Sequence, residues 1–388
     1  MSTTLALLTM TLLSGVSVGA TTDTLPKADS LKRDSARTLR EVPVNIGLAP
    51  GHNANGADPE NVRNRFALNL VMNDAGAIDG FDLALGLART RQSMRGFQAS
   101  IGANLVEGDV LGFQASTANL VLGQTKGLQA AAVANLSRGS FHGLQASGVV
   151  NLATDTMAGL QWSGVFNQAG TVCGAQLGTI NLAGDVRGLQ WGTVNVASKV
   201  HGAQIGWINV ADSVDGAAIG LLSFAKNIEH QADVWVTESG ISNVGLLTGT
   251  EHFYTILALS ATHPDDVRAY GLTWGLGGRI QWDHSWIALD AVATHLLHDI
   301  GEWDDHDRDH RDHKDHVEVE ANEMASLRAS VGWKMFPHLT VYGGLSGNLL
   351  VSAQAPDDEK YLSRNEGPEW NPSKETRIWP GVFMGIRI

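Results

Sequence analysis

Between residues 96 and 227 the chain writes one short phrase again and again: Gly, an apolar residue, Gln, a few small or apolar residues, then Asn and a polar turn. Glycine opens the copies at Gly96, Gly112, Gly127, Gly143, Gly159, Gly174, Gly188 and Gly202. Gln follows two residues later at Gln98, Gln114, Gln129, Gln145, Gln161, Gln176, Gln190 and Gln204, and Asn closes each run at Asn104, Asn119, Asn135, Asn151, Asn167, Asn181, Asn195 and Asn209. Degenerate copies flank the series at Gly80, with Asp82 in the Gln slot, and at Gly216, with Ala218 and Ser223 in the Gln and Asn slots. From Gly80 to Gly216 the glycines are 16, 16, 15, 16, 16, 15, 14, 14 and 14 residues apart. A fixed period with atypical ends is the mark of a repeat array, whose units bury themselves against their neighbours. Helical repeats need roughly 30 residues or more, whereas about 15 suffice for two short strands and two turns. The run contains Val, Ile, Leu and Trp alternating with small residues and no Pro, which fits strands.

Two all-β arrangements compete. In a parallel solenoid each repeat is one coil, and identical residues stack about 4.8 Å apart. Gln over Gln and Asn over Asn then form amide ladders, because a carboxamide both donates and accepts. In an antiparallel meander each repeat is one strand and a tight turn, and the whole chain is one continuous barrel. In the 14-residue copies the apolar residues sit at offsets 1, 3, 6 and 8 from glycine, as in Leu189, Trp191, Val194 and Val196. That pattern changes face between offsets 3 and 6, so each repeat contains a corner. The Gly-to-Asn distance varies between 7 and 8, which a corner absorbs, and no two-repeat rhythm is visible. The solenoid is the favoured reading. Six acids and five bases between residues 96 and 226 make the region poor in charge. Its surface is therefore coated by Gln, Asn, Ser and Thr, or hidden inside a barrel or against lipid.

Elsewhere the chain divides by composition. Residues 1–20 read as a secretory signal peptide, with an apolar core at 5–13 and small residues before Thr21, although no Lys or Arg precedes the core. Residues 21–41 read as a linker and 42–95 as leading strands. After the repeats, residues 228–388 form longer alternating strands, expected at 232–247, 253–261, 270–282, 286–297, 326–335, 340–352 and 379–388. Short turns at one end and long polar loops at the other (298–323 and 353–377) are the habit of an outer-membrane barrel. Aromatic residues near strand ends (Trp274, Trp282, Trp286, Trp333, Phe336, Tyr342, Trp379) read as an interfacial girdle. In the terminal strand Val382, Met384 and Ile386 alternate with Phe383, Gly385 and Arg387. No segment past the leader reaches the roughly 18 apolar residues of a membrane helix, so a span would have to be a barrel. With a single cysteine, Cys173, there is no disulfide framework, and a net charge of -13 argues against nucleic acid as a partner.

The Gly-x-Gln…Asn repeats, the His252-Phe253-Tyr254-Thr255-Ile256 stretch and the terminal strands resemble a family of bacterial surface-repeat-containing proteins, from about Val42 to the end. The resemblance implies an exported protein of the outer membrane or cell surface of a Gram-negative bacterium. It carries no catalytic motif.

The sharpest chemical feature is the acidic stretch 304–316, where His306, His310, His313 and His316 recur every three or four residues, each preceded by Asp. Imidazole with carboxylate suits Zn or Ni, and the same composition also makes a solvated outer loop. Residues 299–320 hold ten acids against three bases, which favours the solvated loop. No Gly-x-Ser-x-Gly elbow or His-Glu-x-x-His helix is present, and Gly275-Leu276-Gly277-Gly278 lacks the context of a phosphate loop, so no enzyme and no cofactor is expected. The Gln and Asn rows either hold coils together or present amides to an extracellular ligand such as a polysaccharide. The functional expectation is a non-enzymatic surface scaffold or interaction protein in contact with outer-membrane lipid. The alternatives are a pore or small-solute transporter, and metal capture by the His/Asp stretch.

Overall fold

The computed structural model describes residues 39–262, 269–299, 319–352, 370–373 and 376–388. The described residues form two compact units, the first ending at His201 and the second beginning at Gly202.

The first unit is the parallel solenoid. Neighbouring coils pair in parallel with glycine on glycine and amide on amide: Gly174 lies beside Gly188, Gln176 beside Gln190 and Asn167 beside Asn181. The same register joins Asp109–Val121 to Thr125–Ser137, and Val150–Ser163 to Phe166–Leu177. Each repeat bends between two arms, as at Gly148 and Val149 between Phe141–Ser147 and Val150–Ser163. Where a 7-residue Gly-to-Asn spacing meets one of 8, the ladder slips between Ser116 and Ala118, so the corner absorbs the extra residue. Coiling starts before the glycine phrase does. Arg40–Gly47 already pairs in parallel with Val62–Asn69, and Gly80 and Asp82 stack on Gly96 and Gln98. The segment read as leading strands thus belongs to the solenoid.

Which side chains point inward differs from the apolar pattern. In the coil opened by Gly112 the buried residues are Val110, Gln114, Asn119 and Val121. Leu189, Trp191, Val194 and Val196, at the offsets that suggested a hydrophobic face, all look outward. Nor do Gln and Asn coat the surface: every one from Gln98 to Asn195 in the two slots is buried. The reason is geometric. Two arms facing each other across about 10 Å leave a gap one side-chain layer deep, and each arm offers it only alternate residues. Glycine holds its slot for a local reason. Gly127 has a φ of 135°, and a Cβ there would run into the carbonyl oxygen of Gly112 in the preceding coil.

In the second unit, eight antiparallel strands close into a barrel. They are Glu229–Thr237, Ile241–Gly249, Phe253–Thr262, Ala269–Gln281, Ser285–Asp299, Val319–Phe336, Leu339–Ser352 and Thr376–Arg387, each paired with the next. The first also pairs with the last, Asp233 beside Arg387, which removes both edges. The single strand expected over 232–247 is in fact a hairpin, turning at Gly240 with a φ of 75°. The last repeats, from Gly202, pack on this unit: the Thr250 hydroxyl donates to the Gly216 carbonyl at 2.9 Å, and the Gly220 amide donates to Thr255 Oγ1 at 3.3 Å. Among the described residues no helix is long and apolar enough to cross a membrane.

Candidate functional site

Alternation along each barrel strand separates two environments. Val234, Val244, Leu259, Leu272, Leu289, Leu327, Leu345 and Met384, one from each strand, are exposed on the outside, Leu289 at 68%. Inside lie Asp233, Thr273, Arg279, Asp290, Arg328 and Arg387, all less than 9% exposed. A soluble barrel has the opposite distribution.

The lumen is filled by a charge-and-aromatic layer built from cross-strand neighbours. Arg328 Nη2 donates to Asp290 Oδ2 at 3.0 Å, and Arg387 Nη2 to Asp233 Oδ2 at 3.1 Å. The Tyr254 hydroxyl donates to Asp290 Oδ1 at 2.6 Å. The Arg387 guanidinium stands 4.7 Å from the centre of the Trp286 ring and 5.2 Å from that of Tyr342, while Arg328 lies over Phe383 at 4.9 Å. Gly277 and Gly332 make room for this layer, since a Cβ at either would strike the Tyr254 or Trp286 ring. A second layer is neutral: Ser260, Thr273 and Thr294 form a hydroxyl chain with links of 2.6 and 2.8 Å. Beyond it, Trp379 Nε1 and Asn348 Nδ2 both donate to Glu238 Oε1. Eight strands leave an interior just wide enough for side chains to fill, and these residues fill it. At the end with the short turns, a polar bowl of about 300 Å³ is lined by Arg279, Lys334, His230, His284 and His338, with Glu229 already bound to Arg279 at 2.7 Å.

The girdle expectation needs correction. Trp274, Trp282, Trp333 and Phe336 are exposed on the outside, but Trp286, Tyr342 and Trp379 point into the lumen. Their parity shows why: Trp286 shares a face with Ala288 and Asp290, while Ile287 and Leu289 take the other. The alternation read in the terminal strand holds, with Val382 and Met384 outside and Phe383 and Arg387 inside. The partners Asp233 and Arg387 are 154 residues apart, a pairing that no local motif announces.

The solenoid interior is the second ordered set of polar groups. In the Gln column each amide donates to the preceding coil: Gln114 to Gln98 at 2.9 Å, Gln145 to Gln129 at 3.0 Å, Gln190 to Gln176 at 2.8 Å. In the Asn column each donates to the following coil: Asn104 to Asn119 at 2.8 Å, Asn135 to Asn151 at 2.9 Å, Asn181 to Asn195 at 2.9 Å. The second amide proton of Asn reaches a backbone carbonyl, as from Asn151 to Trp162 at 2.7 Å, which fixes its orientation. The Gln column ends on Asp82, which accepts from Gln98 at 2.9 Å and from Asn73 at 2.8 Å. Burial pushes the Asp82 carboxyl up to about 6 against the lowering effect of those two bonds. Because both columns are interior and engaged, they are not a surface for polysaccharide, and any ligand meets other side chains.

His306, His310, His313 and His316 lie outside the described residues, as do the leader and most of the linker segment. Among the described residues no group of three or more His, Cys, Asp or Glu side chains is arranged to hold a metal ion.

No protein-family model matches the chain and no curated protein matches its sequence. Among solved structures, the crystal structure of Neisserial surface protein A aligns with 42% of this chain and 94% of its own length, at 11% identity and a TM-score of 0.25. At that similarity the class rests on the geometry above: a parallel solenoid and a closed, eight-stranded antiparallel barrel, apolar without and polar within.

Proposed function

We propose that this is a non-enzymatic outer-membrane protein of a Gram-negative bacterium, in which the barrel anchors the chain in lipid and the solenoid serves as a surface scaffold or interaction module. The observation that carries this reading is the polarity of the barrel: apolar residues exposed on all eight strands around a lumen of ion pairs and hydroxyls. Hydrocarbon solvates such an exterior, and a closed barrel leaves no backbone edge unpaired within it. The pore alternative is disfavoured by the filled lumen, where Arg387, Asp233, Trp286 and Tyr342 occupy one layer.

Two measurements on the purified full chain test the proposal. In detergent, unheated protein is expected to migrate faster than boiled protein on a denaturing gel, as closed membrane barrels do. In planar bilayers it is expected to insert without unitary conductance steps. Absence of the mobility shift and of any partition into detergent sinks the anchor. Discrete conductance steps replace the scaffold with the pore.

A further inference from the structure

From Gly96 to Lys199, eight charged residues (Glu107, Asp109, Lys126, Arg138, Asp155, Asp185, Arg187 and Lys199) all fall between the Asn run of one coil and the glycine of the next. None occurs from a glycine to eight residues beyond it. In the structure this puts every charge of those coils along one edge of the solenoid, four of each sign, and leaves the opposite edge bare. The bare edge is the corner after the Gln arm. It presents Val71, Leu85, Ile101, Val133, Val149 and Val165, all exposed, with Ile101 at 67%. Nine such corners stacked about 4.8 Å apart make an edge about 38 Å long.

That edge also has no thirst for water. Its backbone is paired from coil to coil: Ile101 N to Ala84 O at 3.3 Å, Gly148 N to Ala131 O at 3.1 Å, Phe166 N to Val149 O at 2.9 Å, Ile180 N to Val165 O at 2.8 Å. Of the three threonines in it, two are satisfied internally, Thr117 Oγ1 by donating to Ile101 O at 2.6 Å and Thr179 Oγ1 to Gly164 O at 2.8 Å, and the third, Thr193, stands exposed at the last corner. An element enters hydrocarbon only if its backbone and hydroxyl groups are met within the protein. A soluble solenoid needs the backbone pairing but has no reason to exclude charge from one edge and gather it on the other. Surfaces this large and apolar mark contact with a partner or a membrane.

We infer that the solenoid of the first unit lies in a lipid bilayer surface, with its charge-free edge among the acyl chains and its charged edge in water. This rests on the first unit alone; the barrel reading concerns the second.

Site-directed fluorescence on the full chain tests it. In a Cys173→Ser background, single cysteines are placed on the bare edge (Ile101→Cys, Val149→Cys), the charged edge (Arg138→Cys, Asp155→Cys) and the barrel exterior (Leu289→Cys). Each is labelled with an environment-sensitive dye and reconstituted in phosphatidylcholine vesicles with or without brominated acyl chains. Dye at 101 and 149 is expected to be quenched at least twofold by brominated lipid and protected from aqueous iodide, and dye at 138 and 155 the reverse. Iodide quenching at 101 and 149 equal to that at 138 overturns the inference. So does protection from both quenchers, which means that protein, such as a second copy, covers the edge. Lipid quenching at 289 without quenching at 101 and 149 leaves the barrel anchor standing and removes this inference; the converse leaves the inference and removes the anchor. Two positions per edge guard against one variant failing to fold.

Discussion

The solenoid and the barrel both bury ordered polar groups, but with different chemistry. The barrel interior uses opposite charges, Asp233 with Arg387 and Asp290 with Arg328. The solenoid interior uses neutral amides stacked on copies of themselves. Topology decides between the two. Antiparallel neighbours bring unlike residues together, so acid meets base. Parallel coils in register bring like to like, and two carboxylates about 4.8 Å apart repel by about 3.5 kcal/mol at an effective dielectric near 20. A column of identical side chains must therefore be built from a group that is its own complement, and the carboxamide is one. Asp82 is the exception that supports the rule. It occupies the Gln slot only where the Gln column stops, and its carboxyl is pushed up to about 6.

The sharpest way to break this comparison is to put a charge inside a column. Gln145→Glu keeps the shape but loses the donor to Gln129 and buries an acid between two amides. It should cost about 4 kcal/mol or more, seen as a lowered urea midpoint in detergent micelles. A loss under about 1 kcal/mol would mean that the column is not a constraint.

Arg328→Met should cost almost as much, about 4 kcal/mol, by orphaning the Asp290 carboxylate in the lumen. Adding Asp290→Asn should recover at least half of that loss while keeping an acceptor for Tyr254. No such pairwise rescue exists in the column, so this contrast separates the two designs.

Backbone substitutions sharpen it further. Gly127→Ala, at positive φ and against the Gly112 carbonyl, should cost about 3 kcal/mol. Gly240→Ala, also at positive φ but in open space at a barrel turn, should cost about 1 kcal/mol. Equal costs would show that close approach between coils adds nothing.

The last comparison is read from pH. The folded value for Asp82, about 6, lies above the 3.8 of the free carboxyl, so folding disfavours the ionised form. The penalty is absent below pH 3.8, grows between there and pH 6, and is complete above, at up to about 3 kcal/mol. Asp82→Asn should therefore gain on wild type by up to about 3 kcal/mol between pH 3.5 and pH 7, on top of a pH-independent cost for losing one of the two acceptors that Gln98 and Asn73 use, read as the difference in urea midpoint from wild type. A difference that is the same at both values would sink the assignment.

Much of this was legible in the residues. The Gly-x-Gln…Asn phrase gives the parallel stacking, because only a coil returns each Gln to the same place, and the slip between Ser116 and Ala118 is the expected corner. The faces were harder. Leu189, Trp191, Val194 and Val196 look like a core to any rule that sends apolar residues inward, yet the gap between the arms is filled by amides and one apolar layer. In the barrel, the parity of Arg387 against Val382 and Met384 marks the lumen, and the same test applied to Trp286 and Asp290 would have found the rest. The distant pairing of Asp233 with Arg387 is set by closure of the sheet, a property of the whole chain.

The two amide columns run in opposite senses, Gln handing its proton back toward the start of the chain and Asn handing its own forward. Their dipoles cancel coil by coil, so the array gains no electric polarity as it lengthens. Tandem duplication or loss of a whole unit is then electrostatically silent, and related chains can differ in the number of copies without any compensating change at either terminus of the stack.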